Sequence, residues 1–446
     1  MARGKKKESV LMPEEALAQM LVPDREQPYK VPENWCRVWL PMTFANHTDS
    51  KKKVQQKTYL EDGRVSVVDQ GQELIGGYTD DESMLYSGEL PVVIFGDHTR
   101  CIKYIDFPFA QGADGVKVLK PKAFYFPKAF YYSLQAVDIP NMGYRRHFPL
   151  LDQYAMPVPP LAEQQRIVDR IESLFAKLDE AKEKTQSALD SFETRKAAIL
   201  HKAFTGELTA KWRAKCGVGM DSWKPTTAEK LFSFVTSGSR GWAQYYAESG
   251  AVFIRMGNLD HGTIELDMSD IQYVQLPDKA EGQRSLIEKN DILISITADV
   301  GMIGLVRDID FEAYINQHVA LARPAVPESA EFIAWYLVSD VGLQQFKNRQ
   351  RGATKIGLGL NDIRTLSLNM PLQDEQTEIV RILSSLFDKE QQAKEASEAV
   401  LEKIDLLKKS ILARAFRGEL GTNDPAEESA VELLKSIVFA ENINAI

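Results

Sequence analysis

Cysteine is scarce: Cys36, Cys101 and Cys216 are the only three, odd in number and widely spaced. No CxxC pair occurs, so neither a zinc site nor a disulfide framework is supported, and a reducing cytoplasm is the expected location. No apolar run approaches the roughly 18–20 residues that a membrane helix needs. The basic opening "MARGKKKESVLMPEEAL" is followed by no apolar segment of the signal-peptide kind. Basic charge is also in deficit, with 54 Lys and Arg against 63 Asp and Glu and a net charge of −9. An acidic chain is not the default nucleic-acid binder, so such a role would require a local basic face. What is present is ordinary for a folded protein: 44% hydrophobic and 26% charged residues over 446 positions, enough for roughly two to four domains with their own cores.

The chain contains an internal repeat. Sliding it by 212 residues aligns Ala162–Thr209 with Asp374–Gly421 without a gap. "EQQRIVDRIESLF" from Glu163 is echoed by "EQTEIVRILSSLF" from Glu375, and "ILHKAFTGEL" (199–208) by "ILARAFRGEL" (411–420). Such self-similarity signals a duplicated structural unit. Each copy reads as a long helix. Ile167, Ile171, Leu174 and Phe175 in the first, and Ile379, Leu383, Leu386 and Phe387 in the second, recur at the spacing of a packed helical seam. Pro160 and Pro371 suit the turn into each helix, and Gly206 and Gly418 suit the C-caps. About 40 residues at 1.5 Å each predict a rod on the order of 60 Å. Two such helices can pack antiparallel, each covering the other's apolar stripe. The copies are not identical, since Leu178 is matched by Glu390.

Two blocks, 36–155 and 222–370, precede the two helices. Both are rich in short β-patterned runs punctuated by Gly, Pro and Asp, such as "LPVVIF" (90–95) and "DILISIT" (291–297). The expected organisation is an N-terminal segment (1–35), a first globular domain (36–155), a first helix (156–210), a linker (211–221), a second domain (222–370), a second helix (371–421) and a tail (422–446). The fold class is thus mixed α/β: two globular domains separated by two long antiparallel helices, pseudo-two-fold through duplication. The amphipathic ends, 8–21 and 425–440, could meet each other. A two-fold molecule naturally addresses two DNA half-sites, and diverged domains would make them differ.

The chain resembles the specificity subunit of type I restriction–modification enzymes. The "PPLAEQQRIVDRIESLF" and "MPLQDEQTEIVRILSSLF" helix starts and the "AFTGEL" and "AFRGEL" ends carry the resemblance. "VVDQGQELIGGYTD", "PVVIFGDHTRCIKY" and "GADGVKVLKP" look like one class of target recognition domain. "SGSRGWAQYY", "FIRMGNL", "INQHVALARP" and "GATKIGLGLNDI" look like another. The resemblance runs from about Pro32 to Leu420. It implies that each domain reads half of a split target in double-stranded DNA, and that the helix pair sets the spacer. It further implies docking of modification (methyltransferase) subunits, expected to be a pair, and of restriction subunits through them. The subunit itself would catalyse nothing; S-adenosylmethionine, ATP and Mg²⁺ would belong to its partners.

Candidate DNA contacts follow from local chemistry. In the first block these are Gly77, Tyr78, His98, Arg100, Lys103 and Lys117, then the loop Tyr144, Arg145, Arg146 and His147 before the helix. In the second they are Ser239, Arg240 and Gly241, Arg255, Asn258 and Gln317, and the acid-free stretch holding Lys347, Arg349, Arg351, Thr354 and Lys355. Arginine can bind guanine bidentately, while lysine and glycine-flanked N–H groups suit phosphate. An Asp97–His98 nuclease site is the enzyme rival, but neighbours in a strand face opposite sides and no ligand cluster accompanies them. The other rival is a scaffold whose duplicated domains bind protein ligands.

Overall fold

The computed structural model describes residues 12–238, 240–276, 282–307, 309–351 and 357–443. They form two units: residues up to Thr185 together with those from Ala399 on, and Gln186–Glu398.

In the first unit β1 (Cys36–Trp39) pairs antiparallel with β9 (Ala155–Val158), the strand that runs into the first long helix. A four-stranded sheet has the order β2 (Phe44–Asn46), β8 (Val116–Pro121), β5 (Val92–Gly96) and β6 (Ile102–Ile105). A three-stranded sheet joins β4 (Gly77–Thr79), β3 (Val65–Val68) and β7 (Phe109–Gln111), with β3 and β7 parallel. β5 is apolar throughout because every one of its residues is buried. On β8, by contrast, Lys117 and Lys120 are only partly buried between covered valines and leucine. Helix α2 (Pro127–Gln135) lays Phe130 and Leu134 into the same core as Val93 and Phe95.

The second unit repeats this plan with different residues. β10 (Lys224–Thr227) pairs with β19 (Ser367–Met370), again the strand before a long helix. One sheet has the order β11 (Phe232–Ser237), β18 (Val319–Pro324), β15 (Ile292–Ser295) and β16 (Ile303–Leu305). The other joins β12 (Tyr246–Ala247), β14 (Gln272–Val274), β13 (Ala251–Ile254) and β17 (Ala313–Ile315), with β13 and β17 parallel. The β5–β6, β5–β8 and β2–β8 pairings of the first unit recur as β15–β16, β15–β18 and β11–β18. α7 (Ala330–Val338) is buried at every position except Glu331, which explains its lack of a polar face. Duplication therefore extends through both blocks, although their sequences have diverged.

The second long helix, α10, runs unbroken over Gln373–Ala415, as the repeat predicts. The first does not: it is α3 (Leu161–Asp190) followed by α4 (Phe192–Phe204), with an interruption at Ser191. The long helix of the repeat is thus present in both copies, interrupted in the first at one residue. The Ser191 hydroxyl donates to the Ala188 carbonyl at 2.7 Å, and Arg195 Nη1 reaches the same carbonyl at 3.3 Å as well as the Ser191 hydroxyl. A side chain that competes for helix carbonyls is a known cause of such breaks. The second copy has Lys403 and Leu407 at these two positions and continues.

Within each unit the two helical segments lie antiparallel. In the first, Ile167 and Ile171 pack with Leu412, Ala415 and Phe416, and Lys182 faces Asp405 while Lys408 faces Asp179. In the second, Leu200, Ala203 and Phe204 share a core with Ile379 and Leu383. Each fully buried isoleucine or leucine contributes roughly 1.5–3 kcal/mol. Leu174 and Leu386 are half-buried. Phe175 and Phe387 lie beneath Lys408 and Lys196 at 5.1 and 5.5 Å, an equivalent contact in both copies. The terminal helices α1 (Pro13–Met20) and α11 (Ala430–Ile443) do meet, with Leu17, Ala430 and Leu434 in one core. Among the described residues no helix is long and apolar enough to cross a membrane.

Candidate nucleic-acid interface

In the first unit the ends of β3, β5 and β7 lie together, because β3 pairs in parallel with β7 and the end of β5 pairs with the start of β8. The turn after β5 holds the loop 141–147. The Asp97 carbonyl accepts from the His147 backbone N–H at 2.7 Å, and its carboxylate accepts from the Phe148 N–H at 2.9 Å. His147 is fully buried: Nδ1 meets the Asp97 carbonyl at 2.9 Å, while Nε2 accepts from the Met142 N–H at 3.0 Å. Nδ1 is thus placed to donate and Nε2 to accept. His98 Nδ1 meets the Tyr144 carbonyl at 3.1 Å. The loop is thus clamped at its base by buried groups, while Tyr144 at its tip is 98% exposed. Arg145 and Arg146 are exposed beside it, and neither guanidinium has an ionic partner among the described residues.

The other candidates of this unit divide by burial. Gly77 and Tyr78 sit in β4, where a Cβ on Gly77 would meet Tyr59 at 2.8 Å. Lys117 lies over the Phe148 ring at 5.2 Å with its body partly covered. Arg100 turns inward to the Ile139 carbonyl at 2.8 Å. Lys103 is only 4% exposed, and its ammonium is taken by Asp69 at 3.6 Å and by the Glu73 carbonyl. Lys103 and His147 therefore hold the framework of the loops in this structure and offer nothing to an external ligand.

In the second unit β11, β13, β15 and β17 end at one edge. Ser237 pairs with Ala320, Ser295 with Val319 and Ile254 with Ile315. Gly238 packs so tightly on Ile315 and Asn316 that an added Cβ would come within 2.0 Å of backbone. Past it, Arg240 is exposed and unpaired among the described residues, and Gly241 has φ +81°. Trp242 instead stacks on Phe253 in the core at 5.5 Å. Gln317 Nε2 lies 3.0 Å from His318 Nε2, whose Nδ1 meets Thr297 Oγ1 at 2.5 Å. Gly357 pairs with both Thr297 and Arg351 and so brings the base of the 351–357 loop to the same edge. This is the counterpart of the 141–147 loop at the turn after β5. Ser239, Thr354 and Lys355 lie outside the described residues.

The basic candidates here also divide. Lys347 is exposed near the end of α8 (Asp340–Arg349), and Arg351 is 80% exposed while bonded to Asp362 at 2.8 Å. Arg349 caps carbonyls, at 2.9 Å from Thr365 and 3.1 Å from Gln345. Arg255 pairs with Asp270 at 2.7 Å. Asn258 is 3% exposed, accepting from the Arg255 N–H and donating to the Asp267 and Asp270 carbonyls, so it organises the turn after β13.

The repeated Glu-Gln pair has a role that its sequence did not announce. Glu163 and Glu375 are both fully buried at their helix starts. Glu163 accepts from Trp35 Nε1 at 2.6 Å, Asn423 at 2.8 Å and Thr422 at 3.2 Å. Glu375 accepts from Trp223 Nε1 at 3.1 Å, Thr209 at 2.7 Å and Arg213 at 2.6 Å. In each unit one carboxylate thus ties a helix start, the tryptophan ahead of the first strand and the segment after the other helix. The tryptophans in "ENWCRV" and "DSWKPT" were the available signal. Among the described residues no group of three or more His, Cys, Asp or Glu side chains is placed to hold a metal ion.

Residues 243–403 match the family described as the type I restriction modification DNA specificity domain. The chain is 28% identical over 311 residues to the EcoBI specificity subunit of Escherichia coli, 64% of each chain, so the match spans less than two thirds of that relative's length. It superposes with a TM-score of 0.62, at 18% identity, on a chain solved in work on complex assembly and conformational transition of the type I R-M system, covering 88% of this chain and 100% of that one. The HsdS subunit from Thermoanaerobacter tengcongensis superposes at 0.55 and 17% identity, covering 89% and 100%. The shared fold, the family match over residues 243–403 and the duplicated helices agree: the chain is similar to the specificity subunits of type I restriction–modification systems.

Proposed function

We propose that this chain is the DNA-recognition subunit of a type I restriction–modification complex, reading a bipartite, asymmetric target in double-stranded DNA. The recognition domains are 36–155 and 222–370, with the paired helices as the spacer and as the seat for modification subunits and, through them, restriction subunits. The chain catalyses nothing, and S-adenosylmethionine, ATP and Mg²⁺ serve its partners in the cytoplasm. The observation that carries the reading is topological. Each unit brings a basic loop to the turn after the same strand, with Tyr144, Arg145 and Arg146 exposed in one and Arg351 in the other. Exposed guanidiniums, unpaired at Arg145 and Arg146 among the described residues and held by Asp362 at Arg351, suit phosphate contact and base readout. They also reconcile binding with a net charge of −9, since recognition needs only a local surplus.

The decisive experiment is methylome mapping after co-expression with the cognate modification subunit. A split motif is expected, and exchanging residues 36–155 for those of a relative should change one half alone. An unsplit motif, or a swap that altered both halves, would overturn the reading. A protein-binding scaffold would show no salt-dependent DNA affinity at all.

A further inference from the structure

Arg37, in the middle of β1, is 2% exposed and forms no ion pair among the described residues. Its guanidinium lies 3.8 Å above the Tyr29 ring, and its polar partner there is the Tyr29 carbonyl, 3.3 Å from Nη2. Nε is buried with no hydrogen-bond partner. Ser133 of α2, 1% exposed, has a buried hydroxyl beside the Tyr125 phenol, which itself donates to the Pro157 carbonyl at 2.7 Å. Arg37 and Ser133 line one cleft of about 230 Å³. Arg417 lines it too, its guanidinium 5.0 Å from the centroid of the same Tyr29 ring. Asp138 is the acid lining it, and it is exposed.

Buried cations are ordinarily paired, and buried polar atoms ordinarily bonded, because desolvation is costly. Arg37, a buried cation with no ionic partner among the described residues, lines a cleft beside a second cation, Arg417, and so points to a missing partner that accepts hydrogen bonds and carries negative charge. The fold does not require the arrangement: in the second unit Pro225 stands two residues after Trp223, as Arg37 stands two after Trp35. We propose that this cleft is a binding site for a small oxyanion, the phosphate or carboxylate of a small molecule. Arg37 supplies the fork, Ser133 a hydroxyl donor and Arg417 a second cation. The volume suits a few heavy atoms and falls below the roughly 300 Å³ at which drug-sized pockets begin. A guanidinium matches either oxyanion through paired N–H donors.

The test is calorimetric titration of the full chain, without DNA, using inorganic phosphate and separately acetate at constant ionic strength. Saturable binding at one site is expected, lost in Arg37→Gln and weakened roughly tenfold in Ser133→Ala. Arg417→Ala should weaken it and Arg145→Ala should not. Tighter phosphate binding would identify a phosphate ligand, and tighter acetate binding a carboxylate. Should Arg37→Gln not fold, Ser133→Ala and Arg417→Ala decide the matter. No saturable binding of either anion, binding equal in all variants, or displacement of phosphate by a short DNA duplex would overturn the proposal.

Discussion

Arg195 forks onto Glu390 across the paired helices of the second unit, with Nη2 at 2.8 Å and Nε at 3.0 Å from the same carboxylate oxygen. In the other copy of the repeat these two positions are Leu407 and Leu178. The charged pair in one half thus stands where the repeat has two leucines in the other, of which Leu407 is 49% exposed. Arg195 also holds the carbonyl freed at the Ser191 break, so one substitution links the pairing of the helices to the interruption of the first.

The pair is partly exposed, at 39% and 27%, so its net value is modest. Arg195→Leu or Glu390→Leu alone should cost about 0.5–1 kcal/mol, and the double substitution should recover most of that loss. Urea unfolding of the four proteins measures the coupling. Strict additivity would show the pair to be inert.

The two buried glutamates should differ in cost. Glu375→Gln leaves Arg213, 8% exposed, facing a neutral group and should destabilise by about 3 kcal/mol. Glu163→Gln keeps neutral donors around a neutral acceptor and should cost about 1–2 kcal/mol. Denaturation followed by tryptophan emission is apt, since Trp223 and Trp35 are the respective donors.

Removing loop cations should act on DNA binding with little effect on stability. Arg145→Ala with Arg146→Ala should reduce the slope of log affinity against log salt by up to about 2, and Arg240→Ala by about 1 if it meets one phosphate. Fluorescence anisotropy over a salt series checks both. An unchanged slope would remove these residues from the interface.

His147→Ala should weaken DNA binding without touching DNA. It deletes the buried clamp between Asp97 and Met142 and should cost about 1–3 kcal/mol. Amide exchange should rise at Met142–Arg146 in the variant. If exchange stays slow while affinity falls, the ring has another role.

The cysteines should separate by reactivity. Burial pushes the Cys36 thiol up to about 12 and raises that of Cys101, whereas Cys216 is exposed. The thiolate is the reactive form, so at pH 8 alkylation of the native chain should label Cys216 first and Cys36 only on unfolding. Peptide mass spectrometry after a timed pulse reads the order.

Much of this architecture was legible in advance. Glu163 and Glu375 head a gapless repeat, and the step from Ile167 to Ile171 marks a seam whatever surrounds it. The two basic loops stood out against an acidic background. Individual site residues were less legible. Lys103, His147 and Asn258 have the chemistry of DNA contacts, yet their polar atoms meet Asp69, Asp97 and Asp267, residues supplied by chain folded back against them. A side chain's type states what it can bond, not whether another part of the chain has already taken that bond.

By itself, the sequence determined the duplication, the helical seam and the placement of a basic loop before each helix, because periodicity and self-identity are local properties. Only the tertiary structure decided that the first helix breaks at Ser191, that Glu163 and Glu375 are buried ties to tryptophan, and that Arg37 lines a cleft without an ion pair among the described residues. Each of these depends on which distant groups arrive within hydrogen-bond distance, and on how much water they exclude when they do.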